Sequence, residues 1–142
     1  MNTPAHLILG VLAFRNTPRA GLWSAALLGA LIPDVAMFFF YGYEKGVLGT
    51  PERIIWSQAY FDPAWQLLID IPNSIPLALL GWFLARRAGS GWGQAFFLSA
   101  GLHQVCDLLL HHDDGHRHLL PFSDWRFESP VSYWDPRHYG RI

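Results

Sequence analysis

The chain has 142 residues, of which 51% are hydrophobic and only 15% charged, and its net charge is −1. That length suits one domain, and the charged fraction lies below the ~25% usual for soluble domains. No basic stripe is present, which argues against a nucleic-acid partner, and the single cysteine, Cys106, excludes an internal disulfide framework.

Thr3-Pro4 reads as a helix start, with Thr as N-cap and Pro in the first turn. The helix runs to about Phe14 and is too short to cross a bilayer, which needs ~20 residues. His6 lies in its first turn. Arg15 and Arg19 flank a second start at Thr17-Pro18. Residues 20–41 then form a 22-residue apolar run whose single charge is Asp34. The run is long enough to span a membrane. Pro33 loosens the helix beside Asp34, and an ionisable group inside such a run points to function. The alternative is that Asp34 caps a broken half-helix.

Residues 42–61 read as a loop with a short interfacial helix. It starts at Thr50-Pro51-Glu52 and carries Ile54, Ile55, Trp56 and Ala59 on one apolar face. Asp62-Pro63 opens a second long run, residues 64–85. It is interrupted by Asp70 and by two prolines four apart, Pro72 and Pro76. Irregular backbone at membrane depth is tolerated where it is buried in protein or lines a wet cavity. Asn73 and Ser74 are therefore expected to face such a cavity. Arg86-Arg87 and a glycine turn end the segment. The third run, residues 92–110, carries His103 and Asp107, with Cys106 as a small core residue. Residues 123–142 predict turns and a packed lid.

The stretch 103–118 holds five of the seven histidines and three of the eleven acidic residues. Read as a helix, His103, Asp107, His111 and Asp114 share a face, with His112 opposite and Gly115 as the stop. Imidazole and carboxylate together are ligands for zinc, manganese or iron. The bland reading is a solvated helix end with one core histidine. Spanning of all three runs would put Arg15, Arg19, Arg86 and Arg87 on one side, cytoplasmic by the positive-inside rule. His6, Asp34, Asp70, Asn73, His103, Asp107 and His111 would then converge in the opposite leaflet, periplasmic or outer. The expected architecture is an all-α polytopic membrane helical bundle. It has three spanning helices, a short N-terminal helix and an interfacial helix (1–110), and an irregular His/Asp-rich cap (111–142), all in one domain.

Several pieces look familiar. The early His6 in NTPAHLILG, Pro33-Asp34 in LIPDVAMF, His103-x-x-x-Asp107 and the tail from His111 onward together resemble a bacterial family. It is the inner-membrane metal-dependent hydrolase family, in its LexA-regulated type. This chain departs from it in carrying Asn73-Ser74 where the family has a His-Ser pair. The resemblance implies a multi-pass inner-membrane protein in which metal-activated water attacks the substrate.

Combining both readings, His6, Asp34, His103 and Asp107 are expected to hold a divalent ion, zinc before manganese or iron. His111 and His118, with Asp114 and His116, are expected at a second ion or in acid–base work. Asp113 or Asp114 would take a proton, and Arg117 or Arg126 would neutralise an anionic group. The bilayer and an amphiphilic or phosphoester-type substrate are the expected partners. The rival is a non-catalytic metal-binding or metal-transporting membrane protein. A small structural membrane protein is the third reading.

Overall fold

A computed structural model describes residues 2–15 and 21–140. The second Thr-Pro start at Thr17-Pro18, and Arg19, lie outside the described residues. Six α-helices order the chain: α1 (Thr3–Phe14), α2 (Leu22–Gly42), α3 (Glu52–Ser57), α4 (Pro63–Asp70), α5 (Ile75–Arg87) and α6 (Gly91–Leu110). A π-helical turn (Tyr43–Val47) and a 3-10 turn (Ala59–Phe61) flank α3, and a second 3-10 turn (Pro136–His138) lies in the tail. The described residues contain no strand, in keeping with the expected all-α class.

Local chemistry sets most of these boundaries. Asn2, not Thr3, caps α1: its side-chain carbonyl accepts from the Ala5 amide at 3.1 Å. Thr3 is thereby released to donate to Asp34 Oδ2 at 2.5 Å. Asp62, Ser74 and Ser90 cap α4, α5 and α6 through their side chains, each satisfying an amide that the first turn leaves open.

Helices α2 and α6 form the central pair, with α1 against both and α5 against α6. Small residues allow close approach. A Cβ on Gly29 of α2 would fall 2.1 Å from the Phe96 carbonyl oxygen of α6. A Cβ on Gly10 of α1 would meet Ser99 Oγ at 2.7 Å and Ala30 Cβ at 2.9 Å. Ser99 in turn donates to the Ala26 carbonyl at 2.6 Å.

Two helical segments are long and apolar enough to cross a membrane, Leu22–Val47 and Pro63–Arg87. The expectation of three spans is corrected to two by this measure. The 20-residue α6 falls short because Gln94, His103, Gln104 and Asp107 interrupt its apolar character. The second segment is itself broken, as its prolines predict, into α4 and α5 by the turn at residues 71–74.

The bundle is polar within and apolar without. His6, Asp70, Asn73, His103, Gln104 and Asp107 are buried, whereas Phe39, Leu79, Leu84 and Leu109 are all more than half exposed. That distribution suits lipid as the surrounding solvent. The short α3 leaves Glu52, Arg53, Trp56 and Ser57 exposed and buries one side chain. Its Ile55 is fully buried with Phe40, Tyr60 and Ile69 in the main hydrophobic cluster, while Trp56 remains exposed.

Candidate metal centre

Two distant segments, α1 and α6, bring His6, His103 and Asp107 together, each buried, with ligand atoms within 4.8 Å of one another. Position 6 is on the face of α1 that meets α2 and α6, and 103 and 107 are one turn apart on α6. His6 Nε2 is 2.8 Å from Asp107 Oδ1, and His103 Nε2 is 2.9 Å from Asp107 Oδ2. Asp34 Oδ1 of α2 lies 3.6 Å from His103 Nε2. The two imidazoles stack with centroids 3.5 Å apart and planes 9° apart, so both edges meet the same carboxylate.

The tautomer of His103 tests whether a metal fits. Its Nδ1 faces the Ala30 carbonyl at 2.6 Å. A carbonyl oxygen only accepts, so Nδ1 carries a proton; in the neutral tautomer Nε2 then presents its lone pair. That lone pair faces a carboxylate oxygen at 2.9 Å, and Nε2 makes no hydrogen bond among the described residues. Two electron-rich atoms at this separation repel unless a cation is shared between them. Ligand atoms around an ion with bonds of ~2.0–2.2 Å sit roughly 3–3.5 Å apart, and the Ala30 carbonyl is the outer partner that fixes a ligating imidazole. The donor set of His6, His103 and Asp107 therefore fits a divalent ion, with Asp34 beside His103 outside that group.

The carboxylate of Asp107 also reaches outward. Its Oδ1 is 3.2 Å from His111 Nε2, and His111 Nδ1 is 2.9 Å from Asp114 Oδ2. Helix α6 ends at Leu110, before the expected stop at Gly115, and His111 is extended backbone (φ −110°, ψ 132°). Asp114 reaches His111 through a turn rather than along a helical face. Burial opposes charge on His111, yet the two carboxylates beside it outweigh burial and push its pKa up to about 9. Asp114 also feels burial, which opposes its charge, but His111 and the Trp134 indole hold it below the usual range. Trp134 Nε1 donates to Asp114 Oδ2 at 3.1 Å. Asp114 Oδ1 is buried without a partner among the described residues.

A cavity of about 1010 Å³ adjoins this chain of groups. Its lining includes the polar Asp34, Asp107, His111, Asp114 and His116 and the apolar Leu7, Leu31, Met37 and Phe38. The exposed Asp113 also lines it.

The remaining expected residues lie elsewhere. Arg117 Nε donates to the fully buried Asp70 at 2.5 Å, and its Nη1 donates to Asp124 at 3.1 Å. Arg126 donates to Gln66 Oε1 at 2.5 Å and approaches Asp70 at 3.5 Å. Neither arginine lines the cavity, so the expected anion-neutralising role is corrected to a structural one: both serve a buried anion. His116 joins the two regions, lining the cavity with its Nδ1 3.4 Å from Asp70 Oδ1. His118 donates from Nδ1 to the Asn73 carbonyl at 2.9 Å, and its buried Nε2 has no partner among the described residues. Burial pushes its pKa down to about 4. His118 does not belong to the His6–His103–Asp107 group, and it secures the tail. Asn73 and Ser74 do not line the large cavity. Asn73 donates to the Pro33 and Ile69 carbonyls, and Ser74 donates to the Leu120 carbonyl. His112, as expected, turns away and donates to the Ser129 carbonyl at 2.7 Å. Cys106 is half-buried and takes no part in the centre.

Sequence reasoning missed the Tyr60, Tyr133 and Trp134 contributions to the cavity. The only signal for them was the density of aromatics in the tail and around α3.

No family model matches the chain, and neither a curated protein nor a solved structure matches it.

Proposed function

We propose that this chain is a multi-pass membrane hydrolase that depends on a divalent metal ion, preferably zinc, and acts on an amphiphilic substrate. The observation that carries this reading is the buried His6–His103–Asp107 group beside a cavity lined by both carboxylates and apolar side chains. The motifs shared with inner-membrane metal-dependent hydrolases support the same reading, as does the apolar outer surface. With the two long segments as spans, Arg15 before the first and Arg86 and Arg87 at the end of the second share one side, which by the positive-inside rule supports a site toward the opposite leaflet.

His6, His103 and Asp107 would hold the ion, with Asp34 beside His103. When bound, it supplies Lewis acidity and makes water a better nucleophile near neutral pH. The chain's own residues then divide the proton work. Asp114, held through Oδ2 by His111 and Trp134 at the cavity wall, would be the base that accepts a proton. His111 bridges Asp107 and Asp114 and keeps the two carboxylates in fixed relation. His116 is placed to return a proton to a leaving group from the cavity wall. Asp113, exposed at the rim, shapes the entrance instead.

Elemental analysis of the purified protein tests the metal, and turnover on a panel of esters, amides and phosphoesters tests the chemistry. Wild type should carry a transition metal that His103→Ala loses. Asp114→Asn should keep the metal and lose on the order of 10²–10⁴ in rate, as removal of a positioned base does. A metal-free wild type sinks the whole reading. Bound metal without turnover on any class sinks the hydrolase and leaves a metal-binding or transport protein.

A further inference from the structure

The cavity has an unusual balance of charge. Four aspartates line it (Asp34, Asp107, Asp113 and Asp114), and among the described residues no lysine or arginine does. A divalent ion at the centre offsets two of these charges. The arginines that might have reversed the sign are held by Asp70.

The rest of the lining adds a second property. Aromatic rings stand on both sides, Trp56, Tyr60 and Phe61 from the α3 region and Tyr133 and Trp134 from the tail. The Trp134 ring is fixed by its bond to Asp114, and Tyr60 donates to the Asp114 backbone carbonyl at 3.3 Å. Burial raises the Tyr60 phenol far above its ordinary value, so it stays neutral. Carboxylates between aromatic faces attract cations, quaternary ammonium groups above all. Phe38 and Phe61 are 54% and 52% exposed, so the lining continues onto the apolar outer surface.

We propose that this cavity takes an amphiphile with a cationic head, an amine or quaternary ammonium, and that its tail lies along Leu7, Leu31 and Phe38. This rests on the hydrolase reading for its consequence, since it names the substrate class, but binding is measurable without turnover. The cationic head would lie between the aromatic rings beside Asp113 and Asp114, and the apolar chain would leave past the α1–α2 wall toward lipid.

The test is native mass spectrometry of the full chain released from uncharged maltoside micelles. Decyltrimethylammonium and decyl phosphate are offered at equal concentration, to metal-loaded and metal-stripped protein. The ammonium probe should be retained about tenfold better in both forms, the discrimination of a desolvated cation–π site. Asp113→Asn, an exposed position whose change leaves folding intact, should cut ammonium binding severalfold and leave phosphate binding unchanged. Leu7→Trp, which fills the apolar wall, should cut both. Equal or better retention of decyl phosphate in either form overturns the proposal, as does binding of neither probe or indifference to Asp113→Asn. Metal content is read separately, so failure here is distinct from failure of the metal centre.

Discussion

Metal-linked stability gives the sharpest test of the His6–His103–Asp107 centre. A ligand that binds only the folded state stabilises it by RT ln(1 + [L]/Kd), about 2.7 kcal/mol at one hundred times Kd. A chain of this size gains roughly 3 °C per kcal/mol, so saturating zinc should raise the wild-type melting temperature by about 8 °C. His103→Ala removes a ligand whose Nε2 is 2.9 Å from Asp107 and whose Nδ1 is locked on the Ala30 carbonyl. Loss of an outer-shell partner alone costs 10–100-fold in affinity, and loss of a ligand at least the upper value. At the same zinc concentration the variant then sits near its own Kd, where the gain is only about 0.4 kcal/mol, or 1 °C. The assay is thermal unfolding in micelles with and without metal, after stripping with a chelator. A wild type unmoved by zinc, manganese and iron(II), or a His103→Ala variant that keeps the full shift, would refute the reasoning.

Three further outcomes follow from packing and charge. Asp70→Asn should cost about 2–3 kcal/mol by thermal melting. That is less than the 3–5 of a fully buried pair, because Arg117 and Arg126 are 19% and 33% exposed and can turn to water; a cost under about 1 kcal/mol would show that Asp70 does not hold the tail. Gly29→Ala should cost at least about 1–3 kcal/mol, since its Cβ meets backbone that cannot move without parting α2 from α6. It should also weaken metal retention by drawing Asp34 from His103, whereas Gly101→Ala, with open space at its Cβ, should be neutral on both counts. Acid should destabilise the protein through His118, whose folded pKa of about 4 lies below the ~6.5 of an unfolded histidine. Between those values the unfolded chain binds a proton that the folded chain refuses, so stability falls as pH drops from 6.5, by about 3 kcal/mol at pH 4. His118→Asn, which can keep the donor to the Asn73 carbonyl, should flatten the slope between pH 6.5 and 5, above the range in which carboxylates titrate.

Much of the inner centre was legible because its residues obey local rules. His103 and Asp107 share a face by helical spacing alone, and Pro33-Asp34 and His6 stand out as polar groups in apolar runs. Their convergence followed from counting which end of each run they occupy. The Asp62-Pro63 start was also readable, since the cap acts within one turn. The misreadings came from contacts between distant segments. Thr3 has the sequence features of a cap, yet Asn2 takes that task and Thr3 turns to Asp34, 31 residues away. Arg117 and Arg126 looked like substrate groups because nothing in their neighbourhood shows that Asp70, some 47 and 56 positions earlier, is buried against them. Periodicity carried the helix on to Gly115, but it ends at Leu110. There the His111 carbonyl accepts from the Ser129 amide and the Leu110 carbonyl from the Tyr133 amide.

Those tail contacts decide what kind of cap residues 111–140 form. A break between α4 and α5 leaves backbone groups open, and at membrane depth no water is at hand to satisfy them. The tail supplies the partners. The Ile75 amide donates to the His118 carbonyl, Ser74 donates to the Leu120 carbonyl, and His118 itself donates to the Asn73 carbonyl. From the bundle side, Gln104 donates to the Pro72 carbonyl at 3.0 Å and Asn73 to the Pro33 carbonyl at 3.3 Å. Asp70 then draws in the arginines of the same tail. The break, the two arginines and the histidine run are thus one device, and the tail completes the bundle rather than covering a finished site. Because the segment that satisfies the broken helix also carries His111, Asp114 and His116, docking of the tail and assembly of its share of the cavity lining are a single event. A variant that weakens docking at Asp70 should therefore lose the tail's share of the cavity lining, His111, Asp114 and His116, before it loses the His6–His103–Asp107 group, which comes from α1 and α6.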